Sequence, residues 1–130
     1  MTASRLIAAT ALGAAAAAST SSSAQAPAAP VQQILLYSYG YTPSPIVLAA
    51  GKPVTLTFVN RAGKGHDFTA PKFFASSRIL AGHVARGEEI DLGGGRSASV
   101  TLIPAAGEYR VRCTRPFHTM LGMTGKIIVR

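Results

Sequence analysis

GEYRVRCTRPFHTMLGMTGKIIV spans Gly107–Val129 and holds the chain's one cysteine. Its two ends read as strands. In YRVRC, Tyr109, Val111 and Cys113 share one face and Arg110 and Arg112 the other. The apolar set is the one to bury, so the Cys113 thiol points inward. KIIV closes the chain as a second strand. Between them His118 follows Cys113 by five positions, and Met123 follows His118 by five more. A helix turns positions five apart by about 140°, and a strand sends them to opposite faces. Neither gathers Cys113, His118 and Met123 at one spot. A loop does, and Pro116 and Gly122 favour a loop. The spacing makes sense when the segment wraps around something.

Outward from this stretch the chain is β-rich. ILLYSYGY is apolar and aromatic, and TPSP breaks it. VTLTFVN places Val54, Leu56 and Phe58 on one face and Thr55 and Thr57 on the other. SASVTLIP alternates again, with Ala98, Val100 and Leu102 inward. EEIDL reads as a strand and GGG as the turn after it, while FFASSRIL reads as a short helical turn. Roughly seven short strands without a long helical period indicate an all-β sandwich.

The first part of the chain differs. Arg5 precedes an apolar run from Leu6 to Ala18, and small residues follow. That is the layout of a secretory signal peptide over residues 1–26. Ala24-Gln25-Ala26 and Ser22-Ser23-Ala24 both fit the small-x-small rule, so cleavage is expected near 24–26, leaving a domain over 27–130. The apolar run is short and alanine-rich for a membrane span. With no twin arginine and no cysteine at the cleavage site, the expected product is exported unfolded and then soluble, without stable membrane insertion.

One cysteine rules out an internal disulfide, so stability rests on packing or on a bound metal. The whole chain carries 13 basic and 5 acidic residues; without Arg5 the formal charge is +7. A basic surface suits an acidic partner. The basic residues are scattered rather than gathered in a binding arm, and export makes nucleic acid an unsuitable partner.

A thiolate, an imidazole and a thioether favour copper over calcium, magnesium or manganese. A second histidine would complete a His2Cys set with a weak axial Met, as in copper electron-transfer sites. His66 follows a strong strand and the glycine loop RAGKG, where a rigid strand end can carry a ligand to one pole of a sandwich. His83 lies among small and polar residues and reads as surface.

NRAGKGHDF, followed by GEYRVRCTRPFHTMLGMTGKIIV, resembles the cupredoxins, the small blue copper proteins. The resemblance covers about Ile34 to Arg130. The two spacings of four intervening residues look most like rusticyanin, and CTRP-H is similar to the azurin ligand loop. The resemblance implies a Greek-key β-sandwich with one type 1 copper, His66, Cys113 and His118 as equatorial ligands and Met123 as the axial one. Met120 is a competitor for that role, and the pattern H-x4-M-x-G favours Met123. Met120, Leu121 and Phe117 then form an apolar patch around His118. Gly65 precedes the first ligand, which implies a carbonyl approach from the opposite axial side. Asp67 stands where many relatives have Asn, and a hydroxyl–carboxylate bond to Thr114 is the expected replacement for the amide clamp between the ligand loops.

The resemblance implies a soluble periplasmic electron carrier, a monomer cycling Cu(II)/Cu(I) between redox partners, and not an enzyme. An acidic cytochrome or a membrane oxidase fits the basic charge as partner. The alternative is a copper-binding or delivery protein for a membrane copper oxidase. A copper oxidase or reductase would need more histidines than the one left over, and Cys-x-x-Cys-His for a c-type haem is absent.

Overall fold

The computed structural model describes residues 10–23, 25 and 27–130. The expected export segment lies partly outside them, including Arg5, Ala24 and Ala26. Residues 10–23 and 25 are exposed and form no regular element. Among the described residues no helix is long and apolar enough to cross a membrane.

Among the described residues ten strands build two sheets. They are β1 (Val31–Tyr37), β2 (Gly40–Thr42), β3 (Ile46–Leu48), β4 (Val54–Asn60), β5 (His66–Thr69), β6 (Arg78–Ala81), β7 (Glu89–Leu92), β8 (Ser97–Ile103), β9 (Gly107–Arg112) and β10 (Thr124–Val129). One sheet runs β2-β1-β4-β8-β6 and the other β3-β10-β9-β5-β7. β1 lies parallel to β4 and β3 parallel to β10, and the remaining pairings are antiparallel.

The inward faces are the ones that alternation selects. Leu56 and Phe58 of β4 and Val100 and Leu102 of β8 are buried, as are Val111 and Cys113 at β9 and its end. Phe58 and Phe68 pack across the two sheets with ring centroids 4.8 Å apart. Burial of each such ring contributes about 1.5–3 kcal/mol. The Tyr109 hydroxyl donates to the Ala105 carbonyl at 2.8 Å, tying the chain ahead of β9.

Strand number and one helix boundary differ from expectation. The apolar run Ile34–Tyr41 is two strands, because the chain reverses at Ser38-Tyr39 and Tyr37 then pairs with Gly40. At Gly40 a Cβ would lie 2.6 Å from the Tyr37 hydroxyl, so a side chain there would displace the exposed Tyr37 ring. Ile46–Leu48, after the prolines, adds a strand beside β10. The segment Phe73–Leu80 is divided. Helix α1 (Pro71–Ser76) starts on Pro71 and buries Phe73 and Phe74. From Arg78 the chain pairs with β8 as an exposed edge strand instead. Burial of the two rings rewards one helical turn. Beyond it, the open edge of β8 supplies hydrogen-bond partners that a longer helix would leave unused.

Candidate metal centre

Four connections meet at one end of the sandwich: Ser38-Tyr39, Arg61–Gly65, Gly93–Arg96 and Cys113–Met123. The last is the mouth of the β9–β10 hairpin. The ladder ends on the pair Arg112 and Thr124, and Cys113 N–H donates to the Met123 carbonyl at 3.1 Å. Cys113 and Met123 therefore face each other across the hairpin. Both side chains are fully buried, whereas Met120 is 82% exposed. The loop between them folds on itself. Met123 N–H donates to the His118 carbonyl at 3.0 Å, His118 N–H to Arg115 at 3.1 Å, and Thr119 Oγ1 to the Cys113 carbonyl at 2.7 Å.

His66 opens β5 opposite Leu92 and is buried. The loop before it is held by Asn60, whose amide donates to the carbonyls of Lys64 (2.8 Å), Leu92 (3.1 Å) and Gly93 (3.1 Å). Asn60 Oδ1 accepts from Ala62 N–H at 3.0 Å. Gly94 packs against the Gly63 carbonyl so closely that a side chain would not fit, and the GGG turn thereby braces the same loop.

These supports bring three donor atoms together. His66 Nδ1 and His118 Nδ1 are 3.1 Å apart, Cys113 Sγ and His118 Nδ1 3.4 Å, and Cys113 Sγ and His66 Nδ1 4.0 Å. Among the described residues this is the group of His, Cys, Asp or Glu side chains positioned to hold a metal ion. A point equidistant from the three atoms lies roughly 2 Å from each, the length of a metal–imidazole or metal–thiolate bond. The donor set of two imidazoles and a thiolate suits copper. Burial pushes the Cys113 thiol up, against the lowering pull of the backbone N–H groups of Asp67 and Arg115. Burial, then His118 and Arg115, lowers His66, which keeps its imidazole neutral and able to bind a cation. His83 is exposed and lies outside the group.

A family profile described as a cupredoxin-like domain matches residues 8–129. The chain belongs to the cupredoxin-like family. Cupredoxins bind one copper, and here His66, Cys113 and His118 stand close together with Met123 nearby. Several solved structures share the fold. Auracyanin from Roseiflexus castenholzii is 21% identical with a TM-score of 0.58, over 80% of this chain and 99% of that one. Auracyanin A from Chloroflexus aurantiacus, a blue copper protein, is 21% identical with a TM-score of 0.56, over 79% and 100%. A multicopper oxidase from Aquifex aeolicus is 15% identical with a TM-score of 0.60, over 78% of this chain and 29% of the oxidase. No curated protein matches the chain in sequence.

In this cupredoxin the clamp between ligand loops is Asp67. Its carboxylate is buried and accepts from Thr114 N–H (2.9 Å), Thr114 Oγ1 (2.8 Å) and Thr69 Oγ1 (2.7 Å). The expected hydroxyl–carboxylate bond is present, and the backbone N–H and the second threonine add to it. Asp67 N–H also points at Cys113 Sγ at 3.5 Å. β5 and β9 pair only at Thr69 and Arg112, and above that point the Asp67 side chain takes over the bridging.

Sequence reasoning missed the contribution of the β1–β2 turn. Ser38 Oγ is 2.9 Å from His66 Nε2. The Tyr39 ring stands edge-on to His118 at 5.1 Å and to His66 at 6.2 Å. The signal available was the polar Ser38 interrupting an apolar run, which marks a turn but not its target. Arg115 is also more than a solvated loop charge. It pairs with Asp91 at 2.6 Å and its guanidinium lies over Gly65, where a Cβ would come within 3.0 Å.

Proposed function

We propose that the chain is an exported type 1 copper electron carrier, with His66, Cys113 and His118 as equatorial ligands and Met123 as the axial one. The convergence of two Nδ1 atoms and one Sγ at one pole carries this reading. Copper held there supplies one-electron chemistry between Cu(II) and Cu(I). The residues supply the rest. Cys113 is held from both sides, by its own N–H to Met123 and by Asp67 N–H to its sulfur. His66 Nδ1 faces the other donors, and with Nδ1 on a metal its Nε2 would carry the hydrogen and donate to Ser38 Oγ, which would set the ring's tautomer and tilt. Asp67 binds Thr69 and Thr114, so the ligands sit in a frame that does not depend on the ion's charge. The buried Met123 side chain excludes water from the inner side. His118 is half-buried beside exposed Phe117 and Met120, and it offers a partner the shortest way in.

Burial of Cys113 and Met123 favours a carrier over a delivery protein, which must release its ion to another set of ligands. An oxidase would need further histidines for additional copper, and His83 is exposed on a different loop. The apolar Ala-rich segment with small residues before Pro27 supports export to the periplasm, with the domain running over 27–130. The test is the spectrum of the copper(II)-loaded protein. An intense visible thiolate-to-copper band is expected, and a protein that binds copper(II) and stays colourless would refute the assignment. Terminal sequencing of the exported product is expected to begin between residues 25 and 27.

A further inference from the structure

The four connections at the metal pole hold no acidic residue and four cations: Arg61, Lys64, Arg96 and Arg115. Arg115 is neutralised by Asp91 at 2.6 Å. Arg61, Lys64 and Arg96 are exposed. They sit on two connections in direct contact, joined by Gly95 N–H to the Ala62 carbonyl (3.1 Å) and Asn60 N–H to the Arg96 carbonyl (2.9 Å). Elsewhere among the described residues Arg86 pairs with Glu89 and Lys126 with Glu108, while Lys52, Lys72, Arg78, Arg110, Arg112 and Arg130 carry unpaired charge outside these four connections. The connection that carries Arg61 and Lys64 leads into His66, whose ring lies 4.7 Å from that of His118, and around His118 is an exposed apolar surface. Phe117 is 71% exposed, Met120 82%, Leu121 55% and Tyr39 40%.

We infer that this pole docks an acidic redox protein, with Arg61, Lys64 and Arg96 as a one-sided basic crescent next to the apolar contact. The inference rests on the electron-carrier reading and adds the partner's charge and the side from which it approaches. Charge complementarity is the argument. A short-lived redox encounter buries little area, so long-range attraction sets how often it forms and a small apolar contact sets the coupling distance. Three cations without a balancing carboxylate on one rim steer an acidic face toward His118. They repel a basic one. The unpaired cations elsewhere add general attraction, and the crescent adds the part directed at the metal pole, which the control variants below separate.

The test uses one c-type cytochrome in two forms, native and basic, or succinylated and acidic. Electron exchange with the copper-loaded protein is followed by stopped flow against ionic strength. The acidic form is expected to react faster at low salt and to slow as salt rises, because screening sets in over about 8 Å at physiological ionic strength. Arg61→Glu with Arg96→Glu is expected to lower the low-salt rate about tenfold and to leave the visible band unchanged. Lys52→Glu with Arg130→Glu, the same charge change on residues outside these four connections, is expected to have little effect. Equal loss in both double variants would reduce the crescent to net charge and overturn the inference. Should the glutamate pair fail to fold, Arg61→Gln with Arg96→Gln is expected to give a smaller loss in the same direction. A second readout needs no electron transfer: amide shifts on adding the acidic cytochrome should centre on Arg61, Lys64, Arg96 and Phe117. Shifts elsewhere, or binding to phosphatidylglycerol vesicles with no response to the acidic cytochrome, would also overturn it. A protein that never shows the visible band fails the carrier reading, whereas the amide shifts report docking independently of it.

Discussion

Ser38 Oγ lies 2.9 Å from His66 Nε2, across 28 positions of chain. The contact fixes which nitrogen of His66 faces Cys113 and His118. Hydrogen-bond partners of ligating histidines are worth roughly 10–100-fold in metal affinity. Ser38→Ala is expected to keep the visible band and weaken copper binding about tenfold. Competition with a chelator measures it, and an unchanged affinity would make the contact incidental.

Loss of the band is expected in Cys113→Ser and in His66→Ala, and retention in His83→Ala. The first two remove donor atoms 4.0 Å apart at the pole, and the third changes an exposed residue outside the group. Absorption spectra of the three copper-loaded variants decide it. A colour lost only with His83 would move the second imidazole ligand.

Met123 is fully buried behind the hairpin mouth, and Met120 is 82% exposed. A thioether stabilises Cu(I), so Met123→Gln is expected to lower the reduction potential and Met120→Gln to change it much less. Voltammetry that gives the opposite order would transfer the axial role to Met120.

Asn60 is buried and holds the Arg61–Gly65 connection and β7 with its side chain. Asn60→Ala leaves several backbone groups without partners and is expected to cost about 2–3 kcal/mol in the metal-free protein. Urea unfolding measures it. A loss below about 0.5 kcal/mol would mean that the connection supports itself.

Copper held by a preformed set of donors binds the folded state more tightly than an unfolded chain, so it adds stability by mass action. At free copper a thousandfold above Kd the gain is about 4 kcal/mol, which raises Tm by more than about 10 °C in a domain of this size. Calorimetry with and without copper is expected to show that rise, and Cys113→Ser to lose most of it.

The alternation of YRVRC alone determined that Cys113 faces the core, because a strand has period two and one face must be apolar. The equal spacing of Cys113, His118 and Met123 determined a loop, since no regular element gathers them. The position of His66 at the end of a strong strand, against His83 among small residues, was legible too, whereas the pairing of Asp67 with Thr114 was expected only through the resemblance to the cupredoxins. Each of the legible features is a local pattern or a choice among few residues.

Tertiary structure decided the rest. Ser38 reaches His66 because β1 lies parallel to β4, with Leu36 opposite Asn60, which carries the β1–β2 turn to the metal pole. Arg61, Lys64 and Arg96 form one crescent because the Gly93–Arg96 turn packs on the connection before His66. Arg115 leaves that set because Asp91 on β7 comes within 2.6 Å. Arg78–Ala81 is a strand because the edge of β8 is open to it. In every case the deciding partner is distant in sequence. Strand order and register bring such partners together through the burial of whole faces, and no local pattern records which polar side chains will then meet at the rim.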